Sequence, residues 1–455
     1  MTSPMPTPEA PAAALAAVPQ LEPVRNTVLA GIGALLMFGP LAFGAVEPWA
    51  VFVLQAAAVV LLAIWLLRRL RSGRVVVASN PVFIPMGLFA AVLVLQLLPG
   101  VSAYRHATWS GLLLYIAYGV ICFLVTQTLR RTTQVRWLTT AFSGFGIFLA
   151  GFAILQSLSS NGRLYWVRTP RFGGWIYGPY VNHNHYAGLM EMLAPITLVY
   201  AFSRYAHGRK RWLAAAAAAL MGATIFLSGS RGGMAAFSLQ MALFLWVLFR
   251  ERTRNRTALL LCGFLLTALA LVSWIGGSEV SARLSTVTTR KTEISSDTRM
   301  QINRDGLRMF SRRPLLGWGL GTFEWVYPQY RSFYTDGLVD QAHNDYLQLL
   351  IETGIAGGVL ALWLLVAALR RAWAKARNWT GDVNGAVALA SLLGISGILV
   401  HSLADFNLQV PANALLFYVL CTIAGMQTSF RNPQRVRNLL AEQGGETMLD
   451  AQQAS

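Results

Sequence analysis

The chain has little charge and very little acid. Only 12% of its 455 residues are charged, and 19 Asp or Glu stand against 37 Lys or Arg. Soluble domains carry about 25% charged residues, so this composition excludes an ordinary soluble protein. Cysteine is scarce as well: Cys122, Cys262 and Cys421 lie far apart, each inside an apolar run. That excludes a disulfide framework and a CxxC metal site, and leaves free core thiols. The sequence also lacks GxxxxGK[ST], GxGxxG and HExxH motifs, and any internal repeat of the kind found in rocking-bundle transporters.

Apolar sequence is abundant. A helix needs roughly 20 apolar residues to cross a bilayer. Twelve runs meet that length: about 27–46, 49–67, 81–98, 109–129, 137–157, 185–203, 212–229, 232–249, 257–275, 344–369, 384–404 and 411–429. Every even-numbered run ends in a basic cluster, from Arg68, Arg69, Arg71 and Arg74 after the second to Arg431, Arg435 and Arg437 after the twelfth. Cytoplasmic loops retain Lys and Arg, so the alternation predicts cytoplasmic termini. It also explains the net charge of +18 as orientation signal and lipid contact, not a nucleic-acid surface. The expected fold is all-α: a polytopic membrane protein of about 12 transmembrane helices and one large periplasmic loop carrying short amphipathic helices. Residues 1–24, rich in Pro and Ala, read as a disordered tail.

Polar chemistry concentrates in four places. The first is the loop 159–185 with Arg163, Arg168 and Arg171, which ends in Asn182-His183-Asn184-His185. Just inside the following run, Asn184, Gly188, Glu191 and Pro195 share a helical face. An acid inside a span is costly unless it meets a partner or a polar cavity. Two readings stand: this face lines a polar cavity, or Glu191 is protonated and bonds a neighbouring helix. His183 and His185 lack a third ligand, a weak metal signal. The second place is Ser228–Gly233, a tight turn with Arg231 at its tip, either an anion site or a residue reaching for headgroups.

The third and longest is the external loop 276–342. Within it Ser295-Ser296-Asp297-Thr298 offers helix caps, and Met300, Leu307 and Phe310 recur on one face, which predicts an amphipathic helix on the membrane surface carrying Arg299, Arg304 and Arg308. Six aromatics from Phe323 to Tyr334 either stack on sugars or form an interfacial belt. The loop re-enters the membrane at His343, followed by Asp345, Gln348 and Glu352 as a polar stripe. A His at this boundary, near carboxylates and opposite several Arg, suits a general base, with Asp345 or Glu352 to orient it. The fourth is the last external turn, where His401 and Asp405 have the i,i+4 spacing of a pair.

Three stretches together resemble the O-antigen ligase and polysaccharide polymerase family of bacterial inner-membrane proteins. They are Ser228–Gly233; Thr298-Arg299 with Arg313–Phe323; and Ala342-His343-Asn344-Asp345-Tyr346-Leu347 running to Gly354. The resemblance spans roughly 182–405. It implies a C-type glycosyltransferase that takes a glycan from undecaprenyl pyrophosphate on the periplasmic side. The acceptor is a lipid A core sugar in ligases, another lipid-linked glycan in polymerases, and a protein hydroxyl in related members. It further implies that His343 is the catalytic histidine and that Arg231 and Arg299 bind the pyrophosphate, without metal or other cofactor. Asn184, His185, Glu191, Arg171, Asp345 and Glu352 are the expected substrate contacts. At Asn303 this chain departs from the aromatic residue expected in the family. The implied organisation is a cytoplasmic tail (1–24), an N-terminal membrane scaffold (25–180), a catalytic membrane region (181–430) and a cytoplasmic C-terminal tail (431–455). A flippase or a non-catalytic envelope scaffold would also need many spans, but neither needs a histidine at the mouth of a long external loop.

Overall fold

The computed structural model describes residues 22–72, 77–170, 175–250, 296–335 and 337–426. These residues form helices and the turns between them, with two isolated β-bridges, at 164–168 and 177–180. The helices are α1 (Glu22–Leu41), α2 (Pro48–Arg71), α3 (Phe83–Gln96), α4 (Arg105–Thr128), α5 (Thr132–Leu158), α6 (His183–Phe202), α7 (Gly208–Leu227), α8 (Arg231–Arg250), α9 (Ser296–Arg312), the short α10 (Phe323–Val326), α11 (Asp345–Ala376), α12 (Val383–His401) and α13 (Pro411–Gly425).

Seven of them, α2, α4, α5, α7, α8, α11 and α12, are long and apolar enough to cross a membrane. Three shorter apolar helices, beginning at Arg25, Phe83 and Pro411, fall on other expected runs. The expected run 257–275 lies outside the described residues, as do Arg171, Cys262 and the loop up to residue 295. Start signals behave as their chemistry requires. Pro48 and Pro411 sit in the first turn, where no backbone donor is missed. The Asn182 side chain accepts the Asn184 N–H at 2.9 Å, and Asn344 accepts those of Tyr346 and Leu347 at 3.1 Å.

Burial sorts the helices. On α2, Phe52, Val59 and Leu67 are exposed, as a lipid-facing helix requires. On α6 nearly every side chain is buried, so it is the centre of the bundle, with α5, α7, α8 and α12 around it. Small residues permit this closeness. A methyl at Gly146 would lie 2.3 Å from Met221, and one at Gly222 2.7 Å from Phe237.

Helix α9 forms over the expected stretch, starting at Ser296, and a face that the sequence pattern did not single out packs against the protein. Ile302, Asp305, Gly306 and Met309 pack inward, toward α11, while Met300 and Leu307 are exposed. The reason is a local core: Ile302 and Met309 join Phe323, Tyr327, Leu347 and Ile351 in a second hydrophobic cluster. Asp305 anchors it, accepting from the Ser332 N–H (2.9 Å) and the Tyr327 hydroxyl (3.2 Å), beside Arg308. Of the aromatic run, Phe323 and Tyr327 are therefore core, stacked at 4.9 Å, whereas Trp325 is exposed and rests on Tyr104.

Helix α11 is broken at Gly354, where φ is +66° and ψ is −169°. Into the break fits the strap 314–321. The Ile355 and Ala356 N–H groups donate to the carbonyls of Pro314 and Leu315, at 2.8 and 3.2 Å. Trp318 and Gly319 donate back to the carbonyls of Ile351 and Glu352, both at 2.9 Å. Gln96 closes the arrangement from α3, donating to the carbonyls of Leu316 and Glu352. A methyl on Gly354 would lie 2.2 Å from the Leu315 carbonyl oxygen, and one on Gly317 2.4 Å from the Glu352 carbonyl carbon. Gly354→Ala therefore combines a left-handed backbone with a backbone clash. We expect a loss of at least about 3 kcal/mol, read as a lowered midpoint of thermal unfolding in detergent.

Candidate functional site

Five segments distant in sequence meet at one end of the bundle: the start of α6, the α7–α8 turn, α9, the residues entering α11, and the α12–α13 loop. His343 immediately precedes the Asn344 cap and takes φ +50°, a left-handed conformation uncommon for a residue with a side chain. Its side chain is 10% exposed. Nδ1 lies 3.8 Å from Oδ1 of Asp405, and His185 Nε2 lies 3.9 Å from the same oxygen. The Phe406 ring meets both imidazoles edge-on, at 4.9 and 4.7 Å between centroids. One carboxylate thus faces two histidines across an aromatic wedge. Burial alone would raise the Asp405 carboxyl. The facing His343, with His185 and His401, overrides burial and holds it well below the usual carboxylate range.

The arginines approach from two sides. Arg299, on α9, donates through Nη1 to the Ala404 carbonyl at 2.9 Å, which places its guanidinium beside Asp405. Arg231 is the first residue of α8 and is exposed. Its turn rests on a buried pair: His401 Nδ1 and Glu191 Oε1 are 2.8 Å apart, and His401 Nε2 lies 3.4 Å from the Ser230 hydroxyl.

Several expected placements change. His401 does not pair with Asp405. Helix α12 ends at His401, which turns inward to Glu191, while Asp405 swings out to His343. The carboxylate facing His343 is Asp405, not Asp345 or Glu352. Asp345 accepts from the Ser402 hydroxyl (2.7 Å) and the Leu408 N–H (3.0 Å), tying α11 to the α12–α13 loop. Glu352 accepts from the N–H groups of Gly321 (2.9 Å) and Phe323 (3.3 Å), ending the strap. The α6 face with Asn184, Gly188 and Glu191 is packed rather than open. Glu191 is fully buried, and a methyl on Gly188 would lie 2.2 Å from Asn407 Oδ1. Within the Arg231 turn the Gly233 N–H is taken up by the Ser230 hydroxyl, at 3.1 Å. Arg171 lies outside the described residues.

Beside this cluster lies an apolar cavity of ≈ 520 Å³ between α3, α4, α11 and α13. Phe89, Tyr115, Leu349, Leu365, Phe417 and Tyr418 are among its walls, and Asp345, Ser402 and Gln409 border it. It therefore reaches the same loop that carries Asp405.

Fold and site together define a multi-pass, all-helical membrane protein with arginines, histidines and a buried carboxylate gathered at one end of its bundle. Residues 216–362 match the family model described as O-Antigen ligase, which supports a membrane glycan-transferring enzyme. No curated protein matches the chain. The matched region contains Arg231, Arg299 and His343, whereas Asn184, His185, Glu191, His401 and Asp405 lie outside it.

Proposed function

We propose that the protein transfers a glycan from undecaprenyl pyrophosphate to an acceptor sugar hydroxyl on the periplasmic side of the bacterial inner membrane. The observation that carries this reading is that Arg299 and His343 meet at the loop of Asp405, while the turn presenting Arg231 rests on His401 at the start of that loop. Pyrophosphate is a good leaving group. The protein must neutralise the charge that develops on it and remove the acceptor proton. Arg231 and Arg299 supply the first, as fixed cations able to grip phosphate oxygens bidentately. His343 supplies the second: its Nδ1 faces Asp405, which leaves Nε2 to take the hydroxyl proton. The acceptor oxygen bonds to the anomeric carbon, the bond from that carbon to the phosphate oxygen breaks, and the centre inverts. The apolar cavity suits the polyprenyl tail, with its polar end toward the reacting groups.

In this reading twelve spans leave both termini cytoplasmic and residues 276–342 periplasmic, no metal is needed, and His185, which faces Asp405, borders the acceptor side. The acceptor is a second lipid-linked glycan, so the protein acts as an O-antigen or exopolysaccharide polymerase. The test is purified protein with an undecaprenyl-pyrophosphate glycan, with and without lipid A core, resolved on a gel. A ladder from the donor alone is expected, undiminished by EDTA. A single shift that needs lipid A core means a ligase. No new bond with folded protein points to transfer onto protein or to transport.

A further inference from the structure

The pair Glu191–His401 sits where a bilayer-spanning bundle can least accommodate it. Glu191 is fully buried and His401 is 1% exposed. Charged or strongly polar groups in such an interior are costly unless they are bonded and have a task. Both side chains are closed off from solvent, and Ser230, the third member, is fully buried as well. A Glu–His–Ser arrangement with a sealed hydroxyl is not a nucleophile. Its contacts lead elsewhere, to the turn that presents Arg231.

The Ser230 hydroxyl accepts the Gly233 N–H at 3.1 Å, and the Ser230 carbonyl accepts the Met234 N–H at 2.8 Å, so this residue starts α8. The turn lies directly on the pair. A methyl on Gly232 would lie 2.6 Å from Cδ2 of His401, and one on Gly233 3.2 Å from Glu191 Oε1. Having accepted from Gly233, the Ser230 hydroxyl keeps one proton and one lone pair for His401 Nε2. The contact therefore holds in either protonation state of His401. Gln240 fixes the backbone beneath, donating to the carbonyls of Glu191 (2.8 Å) and Leu393 (2.7 Å). Three helices, α6, α8 and α12, are locked at one point, and Arg231 projects from it.

We propose that Glu191, His401 and Ser230 form a positioning relay that sets Arg231 against the donor pyrophosphate. The relay rests on the reading that Arg231 holds that group. Misplacing a gripping side chain by about 1 Å costs on the order of 10²-fold in rate.

A double-mutant cycle tests it, with binding of undecaprenyl pyrophosphate and the acceptor KM as readouts. His401→Ala is expected to weaken binding 10- to 100-fold, on the order of the effect known for groups that orient a ligating side chain, and to leave the acceptor KM unchanged. In an Arg231→Ala background it should add nothing. Glu191→Gln keeps an acceptor oxygen for His401 Nδ1 and should restore most of the binding that Glu191→Ala removes. If His401→Ala does not fold, Ser230→Ala carries the same expectation, with a loss of about 10-fold. Equal loss in both backgrounds, or a change in acceptor KM alone, overturns the relay. Undiminished binding in Arg231→Ala overturns instead the role of Arg231 on which the relay rests.

Discussion

His343→Ala abolishes glycan transfer while the protein stays folded. General acid–base catalysis contributes about 10²- to 10⁴-fold, and loss of the base removes that factor from turnover. The fold should survive for two reasons. The α11 cap is Asn344, not His343, and its two bonds to Tyr346 and Leu347 are untouched. Alanine takes the φ of +50° at a cost of about 1–2 kcal/mol, somewhat more than histidine and small beside the stability of a folded domain. The check is a radiolabelled transfer assay beside gel filtration in detergent. Activity within a few-fold of wild type would remove His343 from the chemistry. His343→Asn sharpens the result: it tolerates the left-handed backbone well yet provides no base, so it should be equally inactive.

The second large effect is expected at Asp405. Asp405→Asn keeps the volume and removes the negative charge facing His343 and His185. An imidazole that takes a proton becomes a cation, and the carboxylate 3.8 Å away stabilises that cation as it forms. Turnover should fall on the order of 10²-fold, with the KM of the donor little changed, because both arginines remain. A donor KM that rises with unchanged turnover would instead make Asp405 a support for Arg299 through the neighbouring Ala404 carbonyl. Asp405→Glu separates geometry from charge, since it keeps the carboxylate but shifts it by one methylene, and it should not rescue turnover.

Much of this could be read from residue types and spacing. The membrane helices follow from apolar length, and eleven of the twelve expected runs coincide with described helices. Seven of these helices meet the length and hydropathy a span requires. The run Ser295-Ser296-Asp297-Thr298 announced the start of α9. Its orientation was not legible, because the face that packs is chosen by Phe323, Tyr327 and Ile351, which come later in the chain. The same limit applies to pairing at the site. A spacing of four between His401 and Asp405 implies contact only if the helix continues, and α12 stops at His401. Glu352 looked like a site residue because it is an acid in an apolar run. Its partners are backbone N–H groups of a strap, and no pattern in the sequence announces those. Asp405 was marked only by its spacing from His401, and only three-dimensional proximity reveals that two other histidines face it.

The break at Gly354 and the scattered origin of the site also bear on how the protein is made. Residues enter the membrane in order as the ribosome delivers them. When the chain has been synthesised through residue 362, both arginines and His343 exist, yet Asp405 has not been translated. Neither Ser402 nor Leu408 is present to hold Asp345 at the head of α11. The nascent protein thus carries a histidine with no carboxylate behind it and an α7–α8 turn with no His401 beneath it. The contacts behind His343 and beneath the α7–α8 turn form only once the last two described apolar helices have been made, so the site is assembled late in synthesis.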